Sequence, residues 1–375
     1  SDFPEYYAPA RLIVEGRGAD GYVLSALGSK QHDLYPLMGE RIVPLFVPPP
    51  GLILLAPLGL FPHTVAPILW RLLLLVCLIG ALIVLKRDYR LNLKETSYFT
   101  AATFLSGAAF ESLRIDQLAP IILLLFCLSL QYFRADRPMV AGVLLSVLVF
   151  KPQHLLPFVA ALAGGRRWKT LLALAATVGA LSLISLIVLG AAGIQNYLDL
   201  VKAPEVAHYM QAQLGANVRG QLLRLMPDAT GLIWTISGIT MLAGVILSFV
   251  MGRLMSAKEH FVEWMVLLTV PLGLLISPHC HNYDHLLLLP PILFIFKNVV
   301  RPFGEIYKTL VMLCGLIFVV PFSIFIHYFY ILPGGLLNPY FFALLLFVAA
   351  NIISSRQWIT GGAALQETQK PSGNA

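Results

Sequence analysis

Long, leucine-rich apolar runs follow one another from about residue 64 to residue 354, with charged residues largely confined to the short segments between them. No other feature constrains the fold as much. In lipid every backbone polar group must be satisfied internally, which leaves helices or closed barrels. A barrel reads as short segments of alternating polarity, whereas these runs are continuous. Only 12% of the residues are charged and 58% are hydrophobic, against roughly 25% charged in soluble domains. The chain reads as an all-α polytopic membrane protein. Its spans fall near 64–85, 96–113, 117–133, 138–150, 152–164, 170–190, 231–252, 261–277, 284–297, 309–327 and 338–354.

The polar segments alternate in charge. Lys86, Arg87, Arg90 and Lys94, then Arg134 and Arg137, Arg166, Arg167 and Lys169, Arg253 and Lys258, Lys297, Arg301 and Lys308, and Arg356 make one set. The N-terminal stretch, 111–117, the turn at Lys151, 191–230, 277–285 and 327–338 are poorer in Lys and Arg. The positive-inside rule assigns the first set to the cytoplasm. The net charge of +7 therefore sets orientation and is no sign of nucleic-acid binding. The chain begins outside and ends inside, and one further span is expected upstream of residue 1. The runs 138–150 and 152–164 have basic loops at both ends, so they form a hairpin. Each arm of about 13 residues spans roughly 20 Å, short of the ~30 Å hydrocarbon core. Lys151-Pro152 is its tip.

Three regions follow. Residues 1–60 form an outer-face loop region, in which the apolar stretch 51–61 is too short to cross and suits an interfacial or re-entrant helix. Residues 61–356 form the helical bundle, with an outer loop at 191–230. Residues 357–375 have little to bury and read as a disordered cytoplasmic tail. Of the cysteines, Cys77, Cys127 and Cys314 lie inside apolar runs and Cys280 in a polar segment; their spacing suggests neither a disulfide framework nor a zinc site.

Ionisable residues on the expected outer side gather in four places: Asp2 and Glu5; 111–117, with Glu111, Arg114, Asp116 and Gln117; Lys151; and 277–285, with His279, His281, Asp284 and His285. Such groups at span ends tend to line functional cavities. Asp2 has two readings. With Glu5 three residues on and Pro4 in the first turn, it has the pattern of a helix N-cap with a capping-box partner. It also suits a carboxylate at the mouth of a membrane enzyme. Lys151, in an apolar hairpin, must snorkel to the interface or meet an anion, of which a lipid phosphate is the obvious one. His279 and His281, two apart, do not share a helical face, so a metal site is not expected. In the outer loop, Ile194, Tyr197, Leu198 and Val201 form the apolar face of an interfacial helix. Further on, Asn217, Arg219, Gln221 and Arg224 are donors suited to a phosphate.

Several of these stretches together resemble glycosyltransferase family 87, of the GT-C superfamily. They are Asp2-Phe3-Pro4-Glu5-Tyr6-Tyr7, Pro48-Pro49-Pro50 before an apolar run ending near Pro62, and Gln117 opening a leucine-rich span. They continue with Lys151-Pro152 after a small-residue helix, Arg166-Arg167-Trp168-Lys169, the stretch from Asn217 to Arg224, and Ser277-Pro278 leading to Asp284-His285. The resemblance implies a GT-C-like bundle and transfer of a hexose, mannose first, from a polyprenyl-phosphate donor to a glycolipid or glycan acceptor. It makes Asp2 the catalytic base. Lys151, Arg114, Arg219 and His285 become donor-phosphate ligands, and Glu5, Tyr6, Tyr7, Gln117, Asn217, His279 and Asp284 line the substrate site. No cofactor or metal is implied. The chain departs from the family pattern at Asp116, where a Gly usually precedes the Gln, and at Arg219, where a small hydroxyl residue is usual. The alternative of another class is a multi-span transporter or lipid flippase. Such proteins carry inverted repeats and ion sites at mid-depth, whereas no repeat is evident here and the charges gather at one face.

Overall fold

The computed structural model describes residues 1–39, 41–203, 212–257, 261–298, 326 and 335–360. Among these residues the regular structure is helical and no strand occurs. The N-terminal region holds α1 (Phe3–Val14), α2 (Leu24–Leu34) and α3 (Pro49–Leu55), the last continued by a 3-10 turn, Ala56–Leu60. The rest is α4 (Ala66–Asp88), α5 (Leu93–Phe104), α6 (Gly107–Arg114), α7 (Ala119–Arg134), α8 (Pro138–Leu145), α9 (Pro152–Gly164), α10 (Trp168–Lys202), α11 (Val218–Leu225), α12 (Thr230–Met255), α13 (Phe261–Ile276), α14 (Leu289–Asn298) and α15 (Pro339–Thr360).

Three helices, α4, α10 and α12, are long and apolar enough to cross a membrane, and shorter apolar helices accompany them. On α4 the buried residues Trp70, Leu74, Leu78, Ala81 and Leu85 repeat at three- and four-residue steps, the period of one helical face. Ile68, Leu72, Val76, Ile79 and Ile83 face outward. Apolar side chains on both faces suit a helix with protein on one side and lipid on the other.

The interior is built around α7 and α9. Helix α7 packs between α4 and α8, and α9 packs on α12 and α13. Close approach of α9 to its neighbours requires glycine. A Cβ at Gly252 would collide with the Ala161 carbonyl oxygen, and one at Gly273 with the His154 carbonyl oxygen. Small residues that let backbones touch are the usual device for packing helices in lipid. The hairpin of α8 and α9 is short, as expected: eight and 13 residues, with a 3-10 turn Ser146–Val149 between them.

At one end of the bundle a half-buried cation ties three helices. Arg134 of α7 meets Asp88 of α4 at 2.5 Å and Glu263 of α13 at 2.6 Å. Gln131 adds a 3.0 Å bond to Asp88.

The structure departs from the sequence reading in four places. The expected span 96–113 is two helices, α5 and α6. Ser106 ends one and starts the other, donating to the Thr103 carbonyl at 2.7 Å and accepting from the Ala109 N–H at 3.1 Å. Neither half is long enough to cross. Second, α10 breaks at Gly190, whose φ of 68° belongs to the left-handed region. The part beyond the break presents Gly193, Asn196, Tyr197 and Leu200 to the protein, Asn196 bonding the Ala19 carbonyl at 2.9 Å. Leu198 and Val201, assigned to the same face as Tyr197, are exposed. Third, the expected span 284–297 begins as a 3-10 turn, Asn282–Leu288, before α14. Fourth, residues 357–360 continue α15 rather than beginning a tail. The expected span 309–327, except for Ile326, and the tail beyond 360 lie outside the described residues.

Candidate active site

At the other end of the bundle, the start of α1, the extended stretch 41–48, the end of α6, the tip of the α8–α9 hairpin and the loop 279–283 surround a cavity of about 620 Å³. Of the residues singled out from the sequence, Asp2, Glu5, Tyr6, Glu111, Arg114, Gln117, Lys151, Tyr197, His279 and His281 line it.

Asp2 is held by the chain a hundred residues on. Its N–H donates to the Ile115 carbonyl at 2.9 Å, and its carboxylate accepts from Gln117 Nε2 at 2.8 Å. Gln117 Oε1 accepts in turn from the buried Tyr6 hydroxyl at 3.1 Å. Asp2 occupies the N-cap position of α1 without a side-chain bond to the helix. The capping bond is thus not made: Gln117 takes the carboxylate instead. Tyr6 is itself fixed by Trp70, with ring centroids 5.5 Å apart.

Glu5 follows one turn later. Burial pushes its carboxyl up to about 8, and the Asp2 carboxylate adds to the shift, while Lys151 and the Phe46 backbone oppose it. Glu5 is therefore a carboxylic acid at neutral pH. A carboxyl raised by burial beside a second one is a recurring arrangement for acid–base chemistry.

Lys151 meets an anion of the protein. Its Nζ lies 2.6 Å from Asp284 Oδ1 and 4.5 Å from the centroid of the Tyr283 ring. Asp284 also faces His154 Nε2 at 3.3 Å and accepts from the His281 N–H at 2.9 Å. The carboxylate thus organises the loop behind the cavity wall and does not line the cavity itself. Arg114 lines it with Glu111 at 2.6 Å. His279 stacks edge-on against His281, centroids 4.5 Å apart. Burial first, then the neighbouring His281, lowers the His279 pKa well below its usual value, so its ring is neutral.

The other selected residues lie away from the cavity lining. The Tyr7 hydroxyl donates to the Phe61 carbonyl at 2.7 Å. Asn217 caps α11, accepting from the Gly220 N–H at 2.6 Å. Arg219 donates to the Pro278 carbonyl at 3.2 Å and stands 4.0 Å from the Trp234 ring centroid. His285 is buried, its Nδ1 3.4 Å from Asn282 Oδ1. Arg224 bonds the Gly335 carbonyl, and Gln221 the Leu336 carbonyl at 3.0 Å.

Asp116, one of the two departures from the family pattern, has a structural reason. Its φ is 66°, a conformation that suits glycine and that Asp and Asn tolerate best among other residues. Its carboxylate accepts from Arg71 at 2.9 and 3.1 Å, and its carbonyl from Trp70 Nε1 at 2.9 Å. The side chain is buried in that network, away from the cavity.

Sequence reasoning passed over Arg41, Gln31 and Tyr283. Arg41 and Tyr283 line the cavity, while Gln31 is fully buried behind it and bonds both sides of Val43. A polar residue on the helical face of Leu27 and Leu34 was the available signal for Gln31. Among the described residues no group of three or more His, Cys, Asp or Glu is placed to hold a metal.

A family model described as glycosyltransferase family 87 matches residues 46–278, more than half of the chain. No curated protein and no solved structure matches it. The matched stretch contains Gln117 and Lys151; Asp2 and Glu5 precede it.

Proposed function

The chain belongs to glycosyltransferase family 87, and from that premise we propose that the cavity transfers a hexose, with mannose the first expectation, from a polyprenyl-phosphate donor to an acceptor hydroxyl. The acceptor is a glycolipid or glycan. The observation that carries this reading is the position of Asp2. Its carboxylate lines the cavity, held by a neutral amide, with Arg41, Arg114 and Lys151 on the same walls.

A phosphate leaves with its electron pair as a stable anion, so a strong general acid is not required. What the reaction requires is a base beside the attacking hydroxyl and fixed positive charge beside the phosphate. The acceptor oxygen attacks the anomeric carbon from the side opposite the phosphate. The new C–O bond forms as the bond to the phosphate oxygen breaks, the hydroxyl proton passes to Asp2, and the configuration inverts. Gln117 and Tyr6 orient the base. The neutral ring of His279, with His281 beside it, offers nitrogen to sugar hydroxyls. The apolar outward faces of the helices hold the polyprenyl chain, and the charge pattern favours a cavity on the outer side of a bacterial cell membrane. Family membership turns the reading away from a transporter or flippase.

The test is incubation of the purified protein with polyprenyl-phosphate sugars and a membrane lipid extract, with the product identified by mass spectrometry. Asp2→Asn is expected to abolish transfer while folding and membrane insertion persist. Near wild-type turnover in that variant refutes the assignment of the base, and no sugar transfer by the wild type refutes the donor.

A further inference from the structure

Among the described residues three Arg or Lys side chains line the cavity: Arg41, Arg114 and Lys151. Two of them are already neutralised. Lys151 is paired with the buried Asp284 at 2.6 Å, and Arg114 with Glu111 at 2.6 Å. Arg41 is exposed and makes no ion pair or side-chain hydrogen bond among the described residues. Among the described cations of the lining, its charge is the one without a carboxylate partner.

The backbone just beyond it is held at Val43 and Val47. Gln31, with no exposed surface, donates from Nε2 to the Val43 carbonyl at 2.8 Å and accepts from the Val43 N–H at 2.9 Å. The same Nε2 reaches the Pro4 carbonyl in the first turn of α1 at 3.3 Å. Four residues on, the Tyr22 hydroxyl donates to the Val47 carbonyl at 2.8 Å. One buried amide therefore links the stretch carrying Arg41 to the helix that Asp2 begins. With the main chain held from Val43 onward, binding at Arg41 has less of the chain left to order.

We propose that Arg41 binds the phosphate of the lipid-linked donor. This assignment rests on the donor reading of the preceding subsection. A guanidinium presents a planar fork that meets two phosphate oxygens at once. In the leaving step the phosphate gains negative charge, and a cation without a competing carboxylate stabilises that charge most. Lys151 and Arg114 then shape the walls, each bound to its own carboxylate.

The experiment measures binding of a sugar-free polyprenyl phosphate to the full chain in nanodiscs, with uncharged polyprenol and inorganic phosphate as parallel probes. Arg41→Gln is expected to weaken polyprenyl phosphate binding on the order of ten- to a hundredfold, and to raise the donor KM with the melting temperature unchanged. Arg41→Lys is expected to recover part of the loss. Polyprenol is expected to bind weakly in both forms. Inorganic phosphate alone binding as tightly as the lipid phosphate points to a free-phosphate site and overturns the lipid assignment. Wild-type affinity in Arg41→Gln, in a protein that still transfers sugar, overturns the role of Arg41 and leaves the donor reading standing. A wild type that neither binds polyprenyl phosphate nor transfers sugar overturns both.

Discussion

Gln117 Nε2 sits 2.8 Å from Asp2 Oδ2, and its other amide atom receives the Tyr6 hydroxyl at 3.1 Å. The amide is thus committed at both ends, with its orientation set by Tyr6 and its N–H pointed at the carboxylate. Gln117→Ala leaves Asp2 chemically intact but free to rotate. Transfer should fall on the order of tenfold or more, the scale of losing one hydrogen bond to a charged group. The double variant Asp2→Asn/Gln117→Ala should transfer no more slowly than Asp2→Asn alone. Comparison of kcat across the four proteins checks this, and a further additive loss contradicts it.

Lys151→Ala removes the partner of a carboxylate that is 2% exposed. Breaking a buried pair from one side costs about 3–5 kcal/mol, because the remaining charge is left without compensation. Thermal unfolding in detergent should show that loss. Adding Asp284→Asn to Lys151→Ala should return a good part of it. A single variant as stable as the wild type would mean the pair contributes nothing.

Glu5 links stability to pH. Its folded-state value of about 8 lies above the ordinary 4.5, so the folded chain holds a proton that the unfolded chain has released. The contribution is complete below the unfolded value and is lost as pH rises through the folded one. Melting temperature, followed from about pH 5 to about pH 9, should therefore decline more steeply in the wild type than in Glu5→Gln. Parallel curves for the two proteins would contradict a raised Glu5.

Arg134 stands between Asp88 and Glu263 at 2.5 and 2.6 Å. Arg134→Met keeps much of the side-chain volume but leaves two carboxylates facing each other at the joint of α4, α7 and α13. The expected loss is about 1–3 kcal/mol for a half-buried triad, read as a lower melting temperature and a lower yield of monodisperse protein. Because this joint is at the end of the bundle away from the cavity, donor KM measured on the folded fraction should not move.

Much of the architecture was legible because lipid forces a simple code. Apolar runs became helices, and Lys151 stands at the tip of a short hairpin, where Pro152 and the flanking basic loops put it. The missed break at Ser106 is local chemistry: a hydroxyl that bonds backward and forward is invisible to a hydropathy window. Beyond Gly190 the apolar residues divide, Tyr197 meeting protein while Leu198 and Val201 are exposed. Leu198 and Val201 are apolar whether they meet protein or lipid, and only the small Gly193 and polar Asn196 mark the protein side. In the cavity, Asp2, Gln117 and Lys151 were recognisable as ionisable or polar groups at span ends. Asn217 and Arg219 had the same appearance yet serve a cap and a ring contact. Arg41 drew no attention because its importance depends on which other cations have carboxylate partners, and pairings such as Lys151 with Asp284 join residues far apart in sequence.

The half-length hairpin also sets a depth. In the proposed topology α9 rises about 20 Å from the basic loops at its foot, within a hydrocarbon layer of ~30 Å. Under that topology Lys151, and the cavity wall it belongs to, would lie about 10 Å beneath the outer boundary of that layer. A long-chain donor is then not hauled into water to react. Each methylene drawn out of hydrocarbon costs ~0.8 kcal/mol, so a floor level with the membrane surface would tax an isoprenoid anchor by several kcal/mol before any chemistry began. With a sunken floor, the headgroup comes down to the protein while the tail stays in its solvent.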